Sequence, residues 1–324
     1  LLIGTNPRLE AAVLNARIRK RWLAGDFPIA AIGQPTDLTY DAEFIGAGPQ
    51  TLAELVEGKH GFADVLSKAE RPMLILGQGA LARSDGAGIF AQALALADKT
   101  GMISEGWNGF NVLHTAAGRV GGMDVGFLPG EGGLDRNGII EGCKSGDIST
   151  VILYGADEID RAELGGVFVI YVGSHGDRGA HGADVILPAA AYTEKQAIFV
   201  NTEGRAQMSE RAAFPPGDAR EDWKIFRALS DHLGATLEFD TVDALRAVMF
   251  ELTPHLARLD ELVSAGEPEK PVENVTELDA AAFVPALTDY YFTNPIARAS
   301  ATMAACAEAK RERAKAIGGT GTDG

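Results

Sequence analysis

Six short apolar runs, each closed by glycine or proline, set the limits on this chain: "LLIG" at its start, "FPIAAIG" at 27–33, "MLILG" at 73–77, "VILYG" at 151–155, "VFVIYVG" at 167–173 and "DVILP" at 184–188. They are rich in Val, Ile and Leu. Several run apolar without alternation, the pattern of strands buried on both faces. Helical spacing separates them. After the Gly-Thr-Asn-Pro turn at 4–7, Ala11, Leu14, Ile18 and Trp22 recur on one helical face, and Gly25 supplies a stop. Strand, helix, strand is a βαβ unit, which pairs its strands in parallel through a right-handed crossover. The expectation is an α/β fold with a doubly wound, mainly parallel sheet.

Further helices are expected at 52–56, 62–69 and 86–98, and over "NVLHTAAGRV" at 111–120. The next stretch, "GGMDVGFLPGEGG", holds six glycines and a proline and reads as a loop. After Pro215-Pro216 the character changes. Asp218 to Glu221 has the capping-box pattern, opening a helix with Trp223, Phe226, Leu229 or Ser230, and Leu233 inward. A second helix is expected over 243–262. Residues 264–295 carry four prolines and read as an extended arm, with a last helix from near Ile296. The domains expected are an α/β region at 1–214, a helical extension at 215–262, and the arm with its terminal helix at 263–324. The chain opens with Leu inside a strand-like run, which reads as an internal piece of a longer polypeptide.

A net charge of −16 over 324 residues repels bare phosphate backbones, so nucleic acid is not an expected partner. No run of 18 apolar residues offers a bilayer span, so direct membrane insertion is not expected. The two cysteines, Cys143 and Cys306, cannot supply the four thiolates of an iron–sulfur cluster. Cys143 falls in "EGCKSGD", which reads as a plain loop.

Gly4, Gly77, Gly155 and Gly173 follow or close strands. Ligands of open parallel sheets bind beyond the strands' carboxyl ends, where glycine lets backbone come close. The rival reading is that βα turns favour glycine. "GQGALA" at 77–82 matches G-x-G-x-x-A formally, but Arg83 to Gly86 is expected to interpose a turn before the helix. "SHGDRGAHG" brings His175, Asp177 and His181 together. The types suit a divalent metal, yet the spacing fits no familiar ligand set, so a structural loop is the leading reading. "ARIRKRW" at 16–22 reads as a solvated face or a dock for an acidic partner. Tyr290, Tyr291 and Phe292 could anchor the arm on its own core or on a partner. No nucleophile elbow, Walker lysine or catalytic carboxylate pair stands out.

"ADVILPAAAYTEKQAIFVNTEGRAQ" at 183–207, with "GTNPR" at 4–8, resembles the molybdopterin oxidoreductase superfamily. Within it, "LLIGTNPRLEAAVLNARIRK", "PTDLTY", "NVLHTAA", "GFLPG", "GDRGAHGADVILP", "AYTEK", "NTEGRAQ", "REDWKI" and "RASATMA" together resemble the large iron–sulfur subunits of respiratory NADH:quinone oxidoreductase (complex I), those of the bacterial G type. The resemblance runs in order over nearly the whole chain. It implies a sheet of the molybdopterin oxidoreductase type that has lost its pterin and metal. It also implies [2Fe-2S] and [4Fe-4S] clusters carried upstream of Leu1, and none in this segment. The partners implied are other peripheral-arm subunits of complex I. The place implied is the cytoplasmic face of a bacterial inner membrane, or the matrix face of a mitochondrial one. No catalytic or metal-ligating residue is expected here. Gly4, Asn6, Gly77, Gly155, Gly173 and Asn201 would be vestiges of the pterin site, Asp184 a cap, and Arg205 with Glu194 an ion pair. The alternative is a fragment of an active molybdopterin enzyme such as a formate dehydrogenase.

Overall fold

The computed structural model describes residues 1–176, 178–263 and 278–317. They pack as two compact units, one from 1–116, 278–293 and 304–317, the other from 117–263 and 294–303. The units cut across the sequence boundaries expected at 214 and 262. The reason is packing: the arm folds onto the first sheet, while the helices after 221 pack with the strands that precede them.

The first unit runs β1 (Leu2–Ile3), α1 (Pro7–Glu10), α2 (Ala12–Trp22), β2 (Ala30–Ile32), β3 (Glu43–Gly46), α3 (Pro49–Glu57), α4 (Phe62–Lys68), β4 (Leu74–Leu76), α5 (Gln78–Leu81) and α6 (Gly86–Thr100). A small hairpin, β5 (Ile103–Ser104) and β6 (Trp107–Asn108), leads into β7 (Phe110–Val112). The sheet is parallel throughout, in the order β3-β2-β1-β4-β7. Alternate residues serve opposite layers. Leu2, Ala31 and Ile75 meet Leu14, Ile18 and Trp22 of α2. Ile3, Ile32, Leu74 and Leu76 meet Leu52, Leu55, Leu66, Ile89 and Leu96 of α3, α4 and α6. Both faces are covered, as a parallel sheet requires.

β7 replaces part of the helix expected over 111–120. Leu74 N–H donates to Gly109 C=O (2.8 Å) and Leu113 N–H to Leu76 C=O (2.8 Å). Pairing with β4 therefore outweighs the local helical pattern. The helix expected through Trp22 is broken at Ala11, whose φ of −151° and ψ of 67° are not helical.

The second unit runs α7 (Arg119–Asp124), α8 (Arg136–Ser145), β8 (Thr150–Tyr154), β9 (Phe168–Gly173), α9 (Arg178–His181), β10 (Val185–Pro188), β11 (Ala197–Val200), β12 (Ala206–Ser209), α10 (Asp222–His232), α11 (Val242–Leu252) and α12 (Pro295–Ala299). The last described helix is α13 (Ala301–Ile317). β10-β9-β8 form a parallel sheet, and β11 and β12 an antiparallel hairpin. Leu153, Val169 and Tyr171 pack on Ile140, Cys143 and Leu164.

Four sequence readings are corrected here. α7 lies partly within the glycine-rich stretch read as a loop. Cys143 is not in a loop but on α8, buried. Asp135 caps that helix by accepting from Gly138 N–H (2.7 Å), and Gly146, at φ 88°, ends it. The capping box at Asp218–Glu221 does not form, because Ala219 N–H bonds back to Pro216 C=O (3.1 Å) in a turn and α10 starts later. The helix expected over 243–262 stops at Leu252, since Pro254 starts a separate 3-10 turn.

Leu76 is fully buried. Leu76→Ala is expected to cost about 2–5 kcal/mol, and Leu76→Met under about 1.5 kcal/mol. Urea unfolding followed on Trp22 and Trp107, both in the first unit, checks this. Equal losses for the two variants would contradict the packing described.

Candidate functional site

In a doubly wound sheet, ligands enter where the strand order reverses. Here the chain builds β2 and β3 to one side of β1, then returns to β4 and β7 on the other. The crevice therefore belongs to the carboxyl ends of β1 and β4, at Gly4 and Gly77.

At these glycines the chain packs closely on itself. A Cβ on Gly4, whose φ is +56°, would lie 2.6 Å from the N and Cβ of Ala80. One on Gly77 would lie 2.6 Å from Gly4 O, and one on Gly79 would lie 2.3 Å from Val284 O and 2.6 Å from Gly4 O. Gly4 N–H donates to Ile32 C=O (3.0 Å) and Gly77 N–H to Ile3 C=O (2.9 Å). The N–H groups that would cradle a phosphate are thus used in the ladder. α5, which the sequence reading did not expect, starts directly after Gly77, and the turn expected at Arg83 to Gly86 stands before α6. α5 is a single turn, and the Val284 carbonyl lies against its first residues. Backbone thus approaches backbone closely at Gly4, Gly77 and Gly79.

The strap over the crevice is the arm. Phe283 is buried with Leu52, Leu55 and Leu76. Its N–H donates to Ala47 C=O (2.8 Å), and a Cβ on Gly48 would stand 2.9 Å from Ala281 O. Arg83 holds the arm. Its Nε and Nη2 donate to the two oxygens of Asp85 (2.8 and 2.9 Å), and its Nη1 and Nη2 to the carbonyls of Ala281 (2.8 Å) and Asp279 (2.7 Å). The guanidinium also lies over the Phe283 ring, 5.5 Å from its centroid. Asp85 accepts in addition from Asp279 N–H (2.8 Å). The paired Arg83 guanidinium holds the Asp85 carboxyl below the usual range, against the opposing effect of burial. Sequence reasoning saw only a turn at 83–86; no local signal shows that an Arg-x-Asp fork will grip backbone some 200 residues away.

The other expected positions serve local structure. Asn6 caps α1, accepting from Arg8 N–H (3.2 Å), while Glu10 accepts from Asn6 N–H (2.9 Å) and the Thr5 hydroxyl (2.8 Å). Burial pushes the Glu10 carboxyl upward, partly offset by those two bonds. In the second unit, Gly173 sits against the Tyr171 ring (2.7 Å from an added Cβ), whereas Gly155 faces open space. Asn201 ties the β11–β12 turn by accepting from Glu203 N–H (2.9 Å) and Arg205 N–H (3.0 Å). Asp184 accepts from Val169 N–H (2.7 Å). The structure brings Gly4 and Gly77 together, but each of Asn6, Gly173 and Asn201 closes its own turn or packing contact.

The Arg205–Glu194 pair is corrected. Arg205 pairs with Glu203 (3.6 Å) and donates to Asp260 C=O, because the hairpin turn places those groups beside it. Glu194 accepts from Ala191 N–H (2.9 Å). Of the histidine-rich loop, Asp177 lies outside the described residues. Gly176 and Gly179 pack on the Tyr171 ring, whose hydroxyl donates to His175 C=O (2.8 Å). Among the described residues no three His, Cys, Asp or Glu converge as metal ligands.

One polar cluster escaped the sequence reading. Tyr154, Lys195 and Asp222 meet at the end of β8, with the Tyr154 hydroxyl donating to Asp222 Oδ2 (2.6 Å) and Lys195 donating to the same oxygen. Burial, then the Asp222 charge, push the Tyr154 phenol well above its usual range. It is a neutral donor at physiological pH, suited to fastening α10 to the sheet.

Comparison with known proteins gives two family matches: molybdopterin oxidoreductase over residues 1–232, and the C-terminal region of the G-type subunit of NADH-ubiquinone oxidoreductase over residues 263–306. The chain is 42% identical over 313 residues to the NADH-ubiquinone oxidoreductase 75 kDa subunit of Reclinomonas americana, using 94% of this chain and 44% of that one. It is 40% identical over 308 residues to the mitochondrial NADH dehydrogenase (ubiquinone) iron-sulfur protein 1 of Solanum tuberosum, using 94% of this chain and 40% of that one. It is also 40% identical over 320 residues to the mitochondrial NADH-ubiquinone oxidoreductase 78 kDa subunit of Neurospora crassa, at 96% and 42%. The chain therefore spans less than half the length of these curated relatives.

The strap can be tested by substitution and by acid. Gly79→Ala is expected to loosen the arm by about 1–3 kcal/mol through overpacking, read as faster chymotrypsin cleavage after Phe283. Gly61→Ala, where an added Cβ meets nothing within 4 Å, should leave that rate unchanged. Because the folded Asp85 carboxyl is depressed, its stabilising contribution is present above the unfolded value of about 3.9 and disappears as pH falls through the lower folded one. Carboxyl-carbon NMR should place its midpoint below about 3.9 and show it rising in Arg83→Ala; an unchanged midpoint in that variant would remove the clamp.

Proposed function

The chain belongs to the molybdopterin oxidoreductase family, and from that premise we propose that it is a non-catalytic structural segment of an electron-transfer subunit of proton-translocating NADH:quinone oxidoreductase, complex I. Support for the parent comes from the names of its relatives, which are NADH-ubiquinone oxidoreductase and NADH dehydrogenase subunits. The observation that supports the non-catalytic part is the close packing at the switch point, where Gly4, Gly77 and Gly79 hold polypeptide against polypeptide.

On this reading the family's cofactor crevice has become a packing joint. Gly4, Asn6, Gly77, Gly155, Gly173 and Asn201 are its vestigial positions. The iron–sulfur clusters of the parent lie upstream of Leu1. The two cysteines here fall short of a four-thiolate ligand set, and Cys143 is committed to the core of the second unit. What the segment supplies is rigidity. Electron tunnelling falls steeply with distance, so a chain of centres needs a frame that does not yield. Close-packed interiors have low compressibility. The arm and the apolar exterior then meet other peripheral-arm subunits. Among the described residues no helix is long and apolar enough to cross a membrane. The place proposed is the peripheral arm, on the cytoplasmic face in bacteria or the matrix face in mitochondria.

Elemental analysis and pterin fluorescence of the purified chain test the proposal. The expected result is neither molybdenum nor tungsten nor pterin above background, even after expression in molybdate-rich medium. Stoichiometric metal together with pterin would overturn it and favour a formate-dehydrogenase-like enzyme fragment.

A further inference from the structure

The stretch "ARIRKRW" at 16–22 takes no part in the crevice or its strap. It lies on α2, in the first unit. Residues 11–25 hold four cations, Arg17, Arg19, Lys20 and Arg21, and no Asp or Glu, in a chain whose net charge is −16. Basic residues near a helix C-terminus complement the dipole. That accounts for a bias in the last turn, at Arg19, Lys20 and Arg21, but not for Arg17.

The helix sorts these cations by face. Leu14, Ile18 and Trp22 pack on the sheet, and Asn15 fastens the same side by donating to Leu38 C=O (3.0 Å). At 3.6 residues per turn, Arg19 and Arg21 fall on the two flanks, where they serve the fold. Arg19 Nε donates to Thr39 C=O (3.0 Å) and Arg21 Nη1 to Gly25 C=O (2.7 Å). The Arg21 guanidinium also lies over the Phe27 ring, 4.7 Å from its centroid. Arg17 and Lys20 fall on the outer face, between Val13 and Leu23. Among the described residues neither makes an ion pair or a side-chain hydrogen bond. Val13 is 78% exposed and Leu23 58%, and Ala12 and Ala16 beside them are exposed too. The outer face is therefore apolar at each end, with two uncommitted cations in the middle and small residues alongside.

That pattern selects among occupants. Nucleic acid and an anionic bilayer present charge over a wide area, and the acidic remainder of this chain would be repelled by either. A second copy joined about a two-fold axis through this face would set α2 on α2, cation against cation. A helix of opposite charge fits. Ala12 and Ala16 let its axis approach to about 8–10 Å. Two carboxylates one turn apart on its surface are neighbours and meet Arg17 and Lys20. Apolar residues to either side of them cover Val13 and Leu23. Opposed charges then set the register and steer the encounter.

We propose that the outer face of α2 is the docking surface for an acidic amphipathic helix of a separate polypeptide, neither a further part of this chain nor a second copy of it. The inference rests on the reading above that the parent works as one subunit among several, as two of the relatives are named.

The test is made on the parent complex from the source cells. Carbodiimide, which joins an amine directly to a carboxylate in contact with it, should couple Lys20 to an Asp or Glu in an acidic, helix-patterned peptide of another polypeptide. Lys20→Arg should abolish that cross-link and leave the partner bound, because the charge remains. Lys20→Glu should lower the co-purifying partner by at least about tenfold. Changing the cross-linked carboxylate to Lys should restore it, a rescue that no folding defect in α2 would allow. Lys68→Glu, the same charge change at an exposed position on α4, should leave the partner in place. A complex that assembles without any Lys20 cross-link would overturn the inference and leave the proposed function standing. So would a cross-link to a carboxylate of this chain or of a second copy, equal partner loss in Lys20→Glu and Lys68→Glu, or binding of the complex to phosphatidylglycerol vesicles that Lys20→Glu abolishes. Purification of the chain with no other subunit would overturn both readings.

Discussion

The carbonyl of Val284 stands 2.3 Å from where a side chain on Gly79 would begin. That single approach joins residues far apart in the sequence, and it works only because neither backbone carries an intervening group. Closing so long a loop is entropically unfavourable, though the cost grows only slowly with length. Two interactions offset it. Phe283 is fully withdrawn from water, worth about 1.5–3 kcal/mol for a side chain of its class. The Arg83–Asp85 fork supplies charge-assisted hydrogen bonds to Asp279 and Ala281. The fork is effective because Asp85 is already neutralised by Arg83. An unpaired carboxylate buried at that position would be strongly destabilising, whereas the paired one orders Arg83 to meet the arm.

The two sheets obey the same local rules and reach different ends. In the first, short strands of two to four residues survive because layers cover both faces and the arm closes the carboxyl edge. In the second, longer strands pack one face on α8, and among the described residues β8 and β10 each pair only with β9. Strand length and propensity do not explain the contrast, since β8 and β9 are the longer and more Val/Ile-rich elements. What differs is which crossovers the chain supplies. Parallel strands need connections, connections have a fixed hand, and the hand decides which face receives a helix.

Much of this was legible from residues alone. Val/Ile/Leu runs closed by glycine or proline located β1, β2, β4, β8, β9 and β10, and the 3.6-residue spacing of Leu14, Ile18 and Trp22 oriented α2. What failed had physical causes. β3 and β7 are short strands whose pairing, not composition, defines them. α8 was hidden because its glycines lower helix propensity, while burial of Ile140 and Cys143 restores it. Arg205 was assigned a distant partner because sequence order does not show that Glu203, two residues away, faces it across a turn. The crevice glycines were located correctly as strand-end residues. What stood in front of them could not be read, because the answer lay at Gly79 and Val284, outside any local window.

That last failure concerns more than prediction. A missing Cβ permits a close approach and is indifferent to what approaches. A phosphate, a pterin ring or another stretch of backbone all exploit the same bare surface. A strand-end glycine is therefore under the same steric demand whether its crevice holds a ligand or a strap, and the motif can outlast the chemistry that first required it. The N–H groups discriminate between the two cases. A ligand cradle needs them pointing outward and unpaired. At Gly4 and Gly77 they are donated to Ile32 and Ile3, and the space beyond is held by Ala80 and Val284. Function at such a site is decided by the atom opposite the glycine, which is a property of the fold and of no motif.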